Sequence, residues 1–182
     1  MIDVVLTLIG SDRPGLVETV AAIIAAHRGN WVESRMTQLA GKFAGILRAE
    51  LPPDVVDDAV RALGGLESRG LRVVVETAAR RAPPPKDASR KMVLDLVGLD
   101  RPGIVYEISQ VLANSGVNVE ELTTNRTSAP MSGDILFQAR AQVALPSSTD
   151  LAQLRTALER VGNDLMVDVK LEEPNRNDGR DP

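Results

Sequence analysis

Residues 5–33, VLTLIGSDRPGLVETVAAIIAAHRGNWVE, align without a gap on residues 93–121, VLDLVGLDRPGIVYEISQVLANSGVNVEE. Twelve of the 29 positions are identical: Val5, Leu6, Leu8, Gly10, Asp12, Arg13, Pro14, Gly15, Val17, Ala25, Asn30 and Glu33. Most of the others exchange one apolar residue for another, as Ile9 with Val97 and Leu16 with Ile104. Self-similarity at one fixed offset marks a repeated structural unit. The 182-residue chain therefore reads as two copies of one module.

Each copy reads element by element. Residues 2–9 and 92–99 are apolar and β-branched and stop at a glycine before a helix could complete itself, so they read as strands. Asp-Arg-Pro-Gly follows in both. Proline suits a first helical turn, where its missing N–H costs nothing, and Ser11 or Asp12 is positioned to cap that turn. Leu16, Val17, Val20, Ile23 and Ile24 then recur at helical spacing, matched by Ile104, Val105, Ile108, Val111 and Leu112. Gly29 and Gly116 sit where a left-handed turn would end the helix. Two strands follow, 31–39 and 42–51, with a hairpin at Gly41 and Lys42; their equivalents are 117–126 and 134–145. There the connection is longer by 6 residues, the shift from an offset of 88 to one of 94 between Pro52 and Pro146, within a flexible Thr-Ser-Ala-Pro-Met-Ser-Gly stretch. A second amphipathic helix carries Val56, Ala59, Val60, Leu63 and Leu66, or Leu151, Leu154, Leu158 and Val161 in copy two. Strands 71–77 and 165–172 close the units. The order β-α-β-β-α-β, twice, predicts an α+β fold of two ferredoxin-like modules, each a four-stranded antiparallel sheet with both helices on one face. The expected domains are 1–77 and 92–173, joined by a basic Pro-rich linker at 78–91 and followed by a disordered tail at 174–182. Strand edges and helices left open in a lone module are expected to be covered by the other module or by a homodimer partner.

Composition narrows the function. Aromatics are 2% of the chain, so the core must be aliphatic and a stacking platform for single-stranded nucleic acid is nearly excluded. There is no cysteine and one histidine, His27, which leaves no disulfide, thiolate or histidine-rich metal chemistry. Residues 1–77 carry 8 Lys/Arg against 10 Asp/Glu and residues 92–182 carry 8 against 14, so neither module offers the basic face that duplex DNA demands. No apolar run reaches membrane-spanning length, and the start lacks a secretory n-region. The expectation is a cytoplasmic protein that touches neither nucleic acid nor membrane.

The strand–Gly-x-Asp-Arg-Pro-Gly–helix element is the strongest local feature. A helix N-terminus offers free amides and a positive dipole end, a natural seat for a carboxylate. Because Pro14 and Pro102 cannot donate, the candidate amides are those of Gly15 and Leu16 and of Gly103 and Ile104. Asp12 and Asp100 can cap the helix or hold an ammonium. Asn30 and Asn118 begin the next strand, and the split βαβ plan is expected to bring them beside the first loop, where an amide can serve both charges of an amino acid. Arg13 and Arg101 can grip a carboxylate, though a helix start beside aspartate also suits a solvated role. The same residues equally make an ordinary strand-to-helix turn. His27 gives way to Ser115 in copy two, and Asp57/Asp58 and Glu120/Glu121 are sequence neighbours that point apart, so no acid–base pair forms. No phosphate-binding loop, nucleophile elbow or zinc-protease motif is present. No catalytic residue, metal site or cofactor is expected.

At these residues the chain resembles tandem ACT-domain proteins, whose module is a βαββαβ regulatory unit that typically binds an amino acid. The signature, an apolar strand, D/N-x-P-G, an amphipathic helix and G-[apolar]-N-[apolar], is complete in copy two: Asp100-Arg101-Pro102-Gly103 and Gly116-Val117-Asn118-Val119. Copy one keeps Asp12-Arg13-Pro14-Gly15 and Asn30 but has its glycine one place later, at Gly29. Two such modules without an attached enzyme are most similar to the glycine cleavage system transcriptional repressor family. The resemblance implies a non-catalytic regulator that responds to a small amino acid and acts by contacting a transcription activator; the alternative is a subunit giving amino-acid feedback control to a metabolic enzyme. It also implies a ligand at a module interface, against loops 10–16 and 98–104, with copy two the better match.

Overall fold

The computed structural model of the chain describes residues 1–77, 89–129 and 133–174. Two compact units divide between Pro83 and Pro84. The first comprises β1 (Ile2–Ser11), α1 (Leu16–Ala26), β2 (Asn30–Leu39), β3 (Lys42–Leu51), α2 (Val56–Gly64), a 3-10 turn (Gly65–Arg69) and β4 (Leu71–Thr77). The second comprises β5 (Arg90–Leu99), α3 (Ile104–Asn114), β6 (Asn118–Ser128), β7 (Ile135–Leu145), α4 (Leu151–Leu165) and β8 (Val167–Glu172). Strand orders are β2-β3-β1-β4 and β6-β7-β5-β8, antiparallel throughout. This is the predicted ferredoxin-like plan in both copies.

Period-two burial explains the layering. Val4, Leu6 and Leu8 on β1 are buried with Leu47, Ala49 and Leu51 on β3, and Leu16, Val20 and Ile24 of α1 and Ala59 and Leu63 of α2 pack on that same face. Copy two repeats this with Leu94 and Leu96 under Ile108, Leu112, Leu154 and Leu158. Burying each such side chain is worth about 1.5–3 kcal/mol, so the helical stripes hold the helices to the sheet. The core is aliphatic, as the composition requires, and no polar or charged residue among those described is buried. Among the described residues, neither module packs a helix of its own on the opposite face of its sheet.

The repeat extends to irregularities. A β-bulge interrupts β2 between Trp31 and Glu33, and β6 between Val119 and Glu121, the same place in each copy. Gly10 and Gly98 lie where β1 and β5 pass the start of the last strand: a Cβ on Gly10 would be 2.7 Å from the Gly70 carbonyl oxygen, and one on Gly98 2.4 Å from Val167 Cγ1. The β2–β3 hairpin turns on Ala40 and Gly41, both at positive φ, the type I′ geometry that matches strand twist.

Several boundaries differ from expectation. β5 begins at Arg90, because Arg90 and Lys91 pair with Leu145 and Ala144, so the last two residues assigned to the linker belong to the sheet. α4 runs through Leu165, whose side chain is buried, and the final strand starts two residues later than predicted. Gly29 is not the left-handed residue after α1; Arg28 is, at φ 56°, while Gly116 at φ 67° fills that role after α3. Gly29 is small for another reason: a Cβ there would be 2.6 Å from Leu51 and 2.8 Å from Ile24. Linker residues 78–88, the centre of the inserted loop at 130–132 and the tail from 175 lie outside the described residues.

Candidate functional site

The two Asp-Arg-Pro-Gly loops are built alike. The amide of Asp12 donates to the Gly41 carbonyl at 2.9 Å, and that of Asp100 to the Ile135 carbonyl at 2.8 Å, tying each loop to the start of the neighbouring strand. The chain then turns through Gly15 (φ 89°) and Gly103 (φ 97°), left-handed residues that serve as the N-caps of α1 and α3. Glycine accepts this backbone at little cost. Neither helix has a side-chain cap, which corrects the expectation for Ser11 and Asp12: the helix starts at Leu16, leaving both residues too far upstream. The first amides of a helix have no acceptor within it. In both modules that positive end is therefore free of an internal cap. Leu16 and Ile104 are 3% and 2% exposed, so only their backbones can serve a ligand.

The arginines are each bonded within their own module. Arg13 Nη2 donates to the carbonyl of Arg69 at 2.9 Å, and Arg101 Nη2 to that of Asp164 at 2.9 Å. Each guanidinium thus meets a carbonyl at the C-terminal end of the 3-10 turn or of α4, where positive charge is favoured. His27 and Ser115 also share one role, since His27 Nδ1 lies 2.7 Å from the Ile23 carbonyl and Ser115 Oγ donates to the Val111 carbonyl at 2.9 Å. Two chemically different residues thus meet the same turn of equivalent helices.

The aspartates are not equivalent. Asp100 Oδ2 lies 2.7 Å from Nε of Arg126 on β6, and the Asp100 side chain is 23% exposed. The position of Arg126 in copy one is Gln38, and Asp12 is exposed with no ion pair to another described residue. Sequence reasoning missed Arg126 because its relevance rests on cross-strand register. Only the Arg126–Phe137 pairing in β6–β7 brings it level with the loop that follows Leu99.

The asparagines are elsewhere. Asn30 pairs with Glu50, which pairs with Asp3; Asn118 pairs with Ala144, which pairs with Lys91. Each asparagine is thus level with the beginning of the first strand, while its loop follows the end of that strand. At ~3.3 Å per strand residue the separation is about 30 Å. The expectation that they sit together in one module is corrected. The first strand carries the chain up and the helix carries it back down, so β2 and β6 begin at the bottom. Among the described residues no group of three or more His, Cys, Asp or Glu side chains could hold a metal ion.

Twin ferredoxin-like modules, each starting its first helix from a left-handed glycine with no side-chain cap, define a duplicated α+β unit. Residues 3–72 match one model of the ACT domain and residues 86–163 another, and the chain belongs to the tandem ACT-domain proteins. It is 26% identical over 165 residues to the glycine cleavage system transcriptional repressor of Escherichia coli, an alignment covering 88% of this chain and 84% of that protein. A crystal structure of an unknown protein from Galdieria sulphuraria superposes with a TM-score of 0.81 at 33% identity, covering 96% of this chain and 99% of the other. A candidate glycine cleavage system transcriptional repressor superposes with a TM-score of 0.67 at 18% identity over 94% and 96% of the two chains, a likeness of fold. No helix among the described residues is long and apolar enough to cross a membrane.

Proposed function

We propose that the chain is a non-catalytic cytoplasmic sensor of a small amino acid, which controls expression of glycine metabolism by contacting a transcription activator. The observation that carries this reading is similarity over 88% of the chain to a transcriptional repressor of the glycine cleavage system, joined to two helix N-termini that no side chain caps. Each end has amides for a carboxylate and an aspartate beside them for an ammonium, the two charges every free amino acid carries. Module one is the more accessible of the two. Asp12 is exposed and unpaired among the described residues, whereas Asp100 is already held by Arg126.

The test is a thermal-shift screen of the full chain against the twenty amino acids, followed by calorimetric titration of any that stabilises it. Stabilisation by glycine or another small amino acid is expected, and Asp12→Asn is expected to weaken it by roughly 10- to 150-fold, the worth of one charge-assisted hydrogen bond. No stabilisation by any amino acid would end the sensor reading. Pull-down from native lysate separates regulator from enzyme subunit: a transcription activator supports the proposal, and a metabolic enzyme overturns it.

A further inference from the structure

Three hydrogen-bond donors gather where β1 ends, on the sheet face of module one that packs no helix of its own. Ser11 closes β1 and pairs with Lys42, the first residue of β3; Ile9, two residues earlier, pairs with Arg72 on β4. Val4, Leu6 and Leu8 turn inward to the helices, so alternation turns Ile9, Ser11, Lys42 and Arg72 outward together. An open cavity of about 350 Å³ lies at this end of the sheet, lined by Ile9, Ser11, Lys42, Glu67, Gly70 and Arg72. Across it, Lys42 Nζ donates to Ser11 Oγ at 3.1 Å.

The two cations have no carboxylate among the described residues. Arg28, Arg48 and Arg61 of the same module each stand in an ion pair. Lys42 meets only the neutral hydroxyl of Ser11, and Arg72 forms no ion pair with a described residue. Glu67 is the one acidic residue lining the cavity, and it pairs with neither. The cavity wall therefore keeps a net positive charge.

The second module has none of these groups. In the equivalent pairings Leu99 replaces Ser11, Leu136 replaces Lys42 and Asp168 replaces Arg72. Two donors have become aliphatic and the third has reversed its charge. The same strand order forms without them, so the architecture does not require them.

Lys42 and Arg72 reach in from the strands on either side of β1, and the Ser11 hydroxyl lies between them. Donors converging from three sides suit the three terminal oxygens of a phosphate monoester better than the two coplanar oxygens of a carboxylate. Two positive charges also match the nearly two negative charges of a monoester at neutral pH. We infer that module one carries an anion site for a small phosphate monoester, formed by Ser11, Lys42 and Arg72. It lies on the sheet face opposite α1 and does not rest on the amino-acid reading.

NMR titration of the full chain with inorganic phosphate tests it, at constant ionic strength and about pH 8, where phosphate is the dianion. Saturable shifts are expected at the amides of Ser11, Lys42 and Arg72, and none at Leu99, Leu136 and Asp168. Lys42→Gln and Arg72→Gln are each expected to weaken binding about 2- to 5-fold, the worth of one exposed charge pair. Glu67→Gln is expected to tighten it by about as much. All three side chains are exposed, so circular dichroism is expected to be unchanged. Acetate and dimethyl phosphate, each with a single charge, are expected to bind more weakly than phosphate. Equal binding of acetate would reveal a general anion patch, and equal binding of the diester a nucleic-acid backbone contact; either overturns the inference. So does the lack of a saturable shift, or a Lys42→Gln/Arg72→Gln double variant that binds phosphate like the wild type.

Discussion

The guanidinium of Arg101 donates to the carbonyl of Asp164, 63 residues away, and thereby fastens the Asp-Arg-Pro-Gly loop to the end of α4. Arg13 makes the same bond to Arg69 across 56 residues of the first module. The arginine in the repeated motif thus helps to order the loop with one of its five N–H donors. Arg101→Ala is expected to destabilise module two by about 1 kcal/mol, the net worth of such a bond near the surface. Urea denaturation checks the figure. Ligand affinity, measured by calorimetry on the folded variant, is expected to change far less than in Asp12→Asn. An unchanged midpoint would show that the bond contributes nothing in solution.

The glycines of the motif divide in the same way. Gly98 has no room: a Cβ would stand 2.7 Å from Val167 Cα and 2.8 Å from the Met166 carbonyl oxygen, both backbone atoms. Gly103 has room, with only Glu107 Oε1 within contact distance at 3.5 Å, but its φ of 97° is costly for any other residue. Gly98→Ala must therefore separate two strands and is expected to cost about 3 kcal/mol. Gly103→Ala is expected to cost about 1 kcal/mol through backbone strain alone. Chemical denaturation of both variants decides the order. Equal costs would mean that the close strand crossing at Gly98 relaxes more easily than its geometry implies.

The fold was legible because a duplication and two hydrophobic periods carry it: the 88-residue offset named the modules, and alternation at Val4, Leu6 and Leu8 named the sheet's buried face. The site was legible only in part. Asp12, Gly15 and Leu16 are sequence neighbours, so their place in one strand-to-helix loop follows from local sequence. Asn30 was misplaced because its position relative to the loop depends on strand direction, which the plan fixes but local sequence does not. Arg126 was invisible because it meets Asp100 through register across β6, β7 and β5. The exchange of Gly116 for Arg28 was seen, but not its consequence, a non-glycine residue held at φ 56°.

Arg28 also forms an ion pair with Asp54, and the hydrogen bond from its guanidinium is the main cause holding the Asp54 carboxyl below its ordinary pKa of 3.8. A carboxylate depressed on folding adds stability above its unfolded pKa and loses it as pH falls through the folded value. Arg28→Gly removes the left-handed strain and the pair together. Its expected signature is an NMR titration in which Asp54 moves upward toward its ordinary value, and a stability profile less dependent on pH in the acid range. An Asp54 that titrates alike in both proteins would mean the pair is not populated in solution.

On the proposed amino-acid reading, the ion pair between Asp100 and Arg126 sets the two modules apart. An amino acid that presents its ammonium to Asp100 must first displace a guanidinium at 2.7 Å, whereas one arriving at Asp12 meets an exposed carboxylate opposite the neutral Gln38. Exposed pairs of this kind are worth up to about 1 kcal/mol, and Asp100 is better shielded than most, so the handicap of module two is roughly 5-fold in affinity. Arg126→Gln, which copies module one, is expected to tighten module-two binding by that factor. Gln38→Arg is expected to weaken module one to match. Calorimetric titration of the full chain reads both, since two unequal sites in the wild type should become two nearly equal ones in either variant. Asn118→Ala serves as the control. It lies about 30 Å from the loop of its own module, so unchanged binding is expected for a ligand held by one module, and lost binding would mean that the ligand is shared by two.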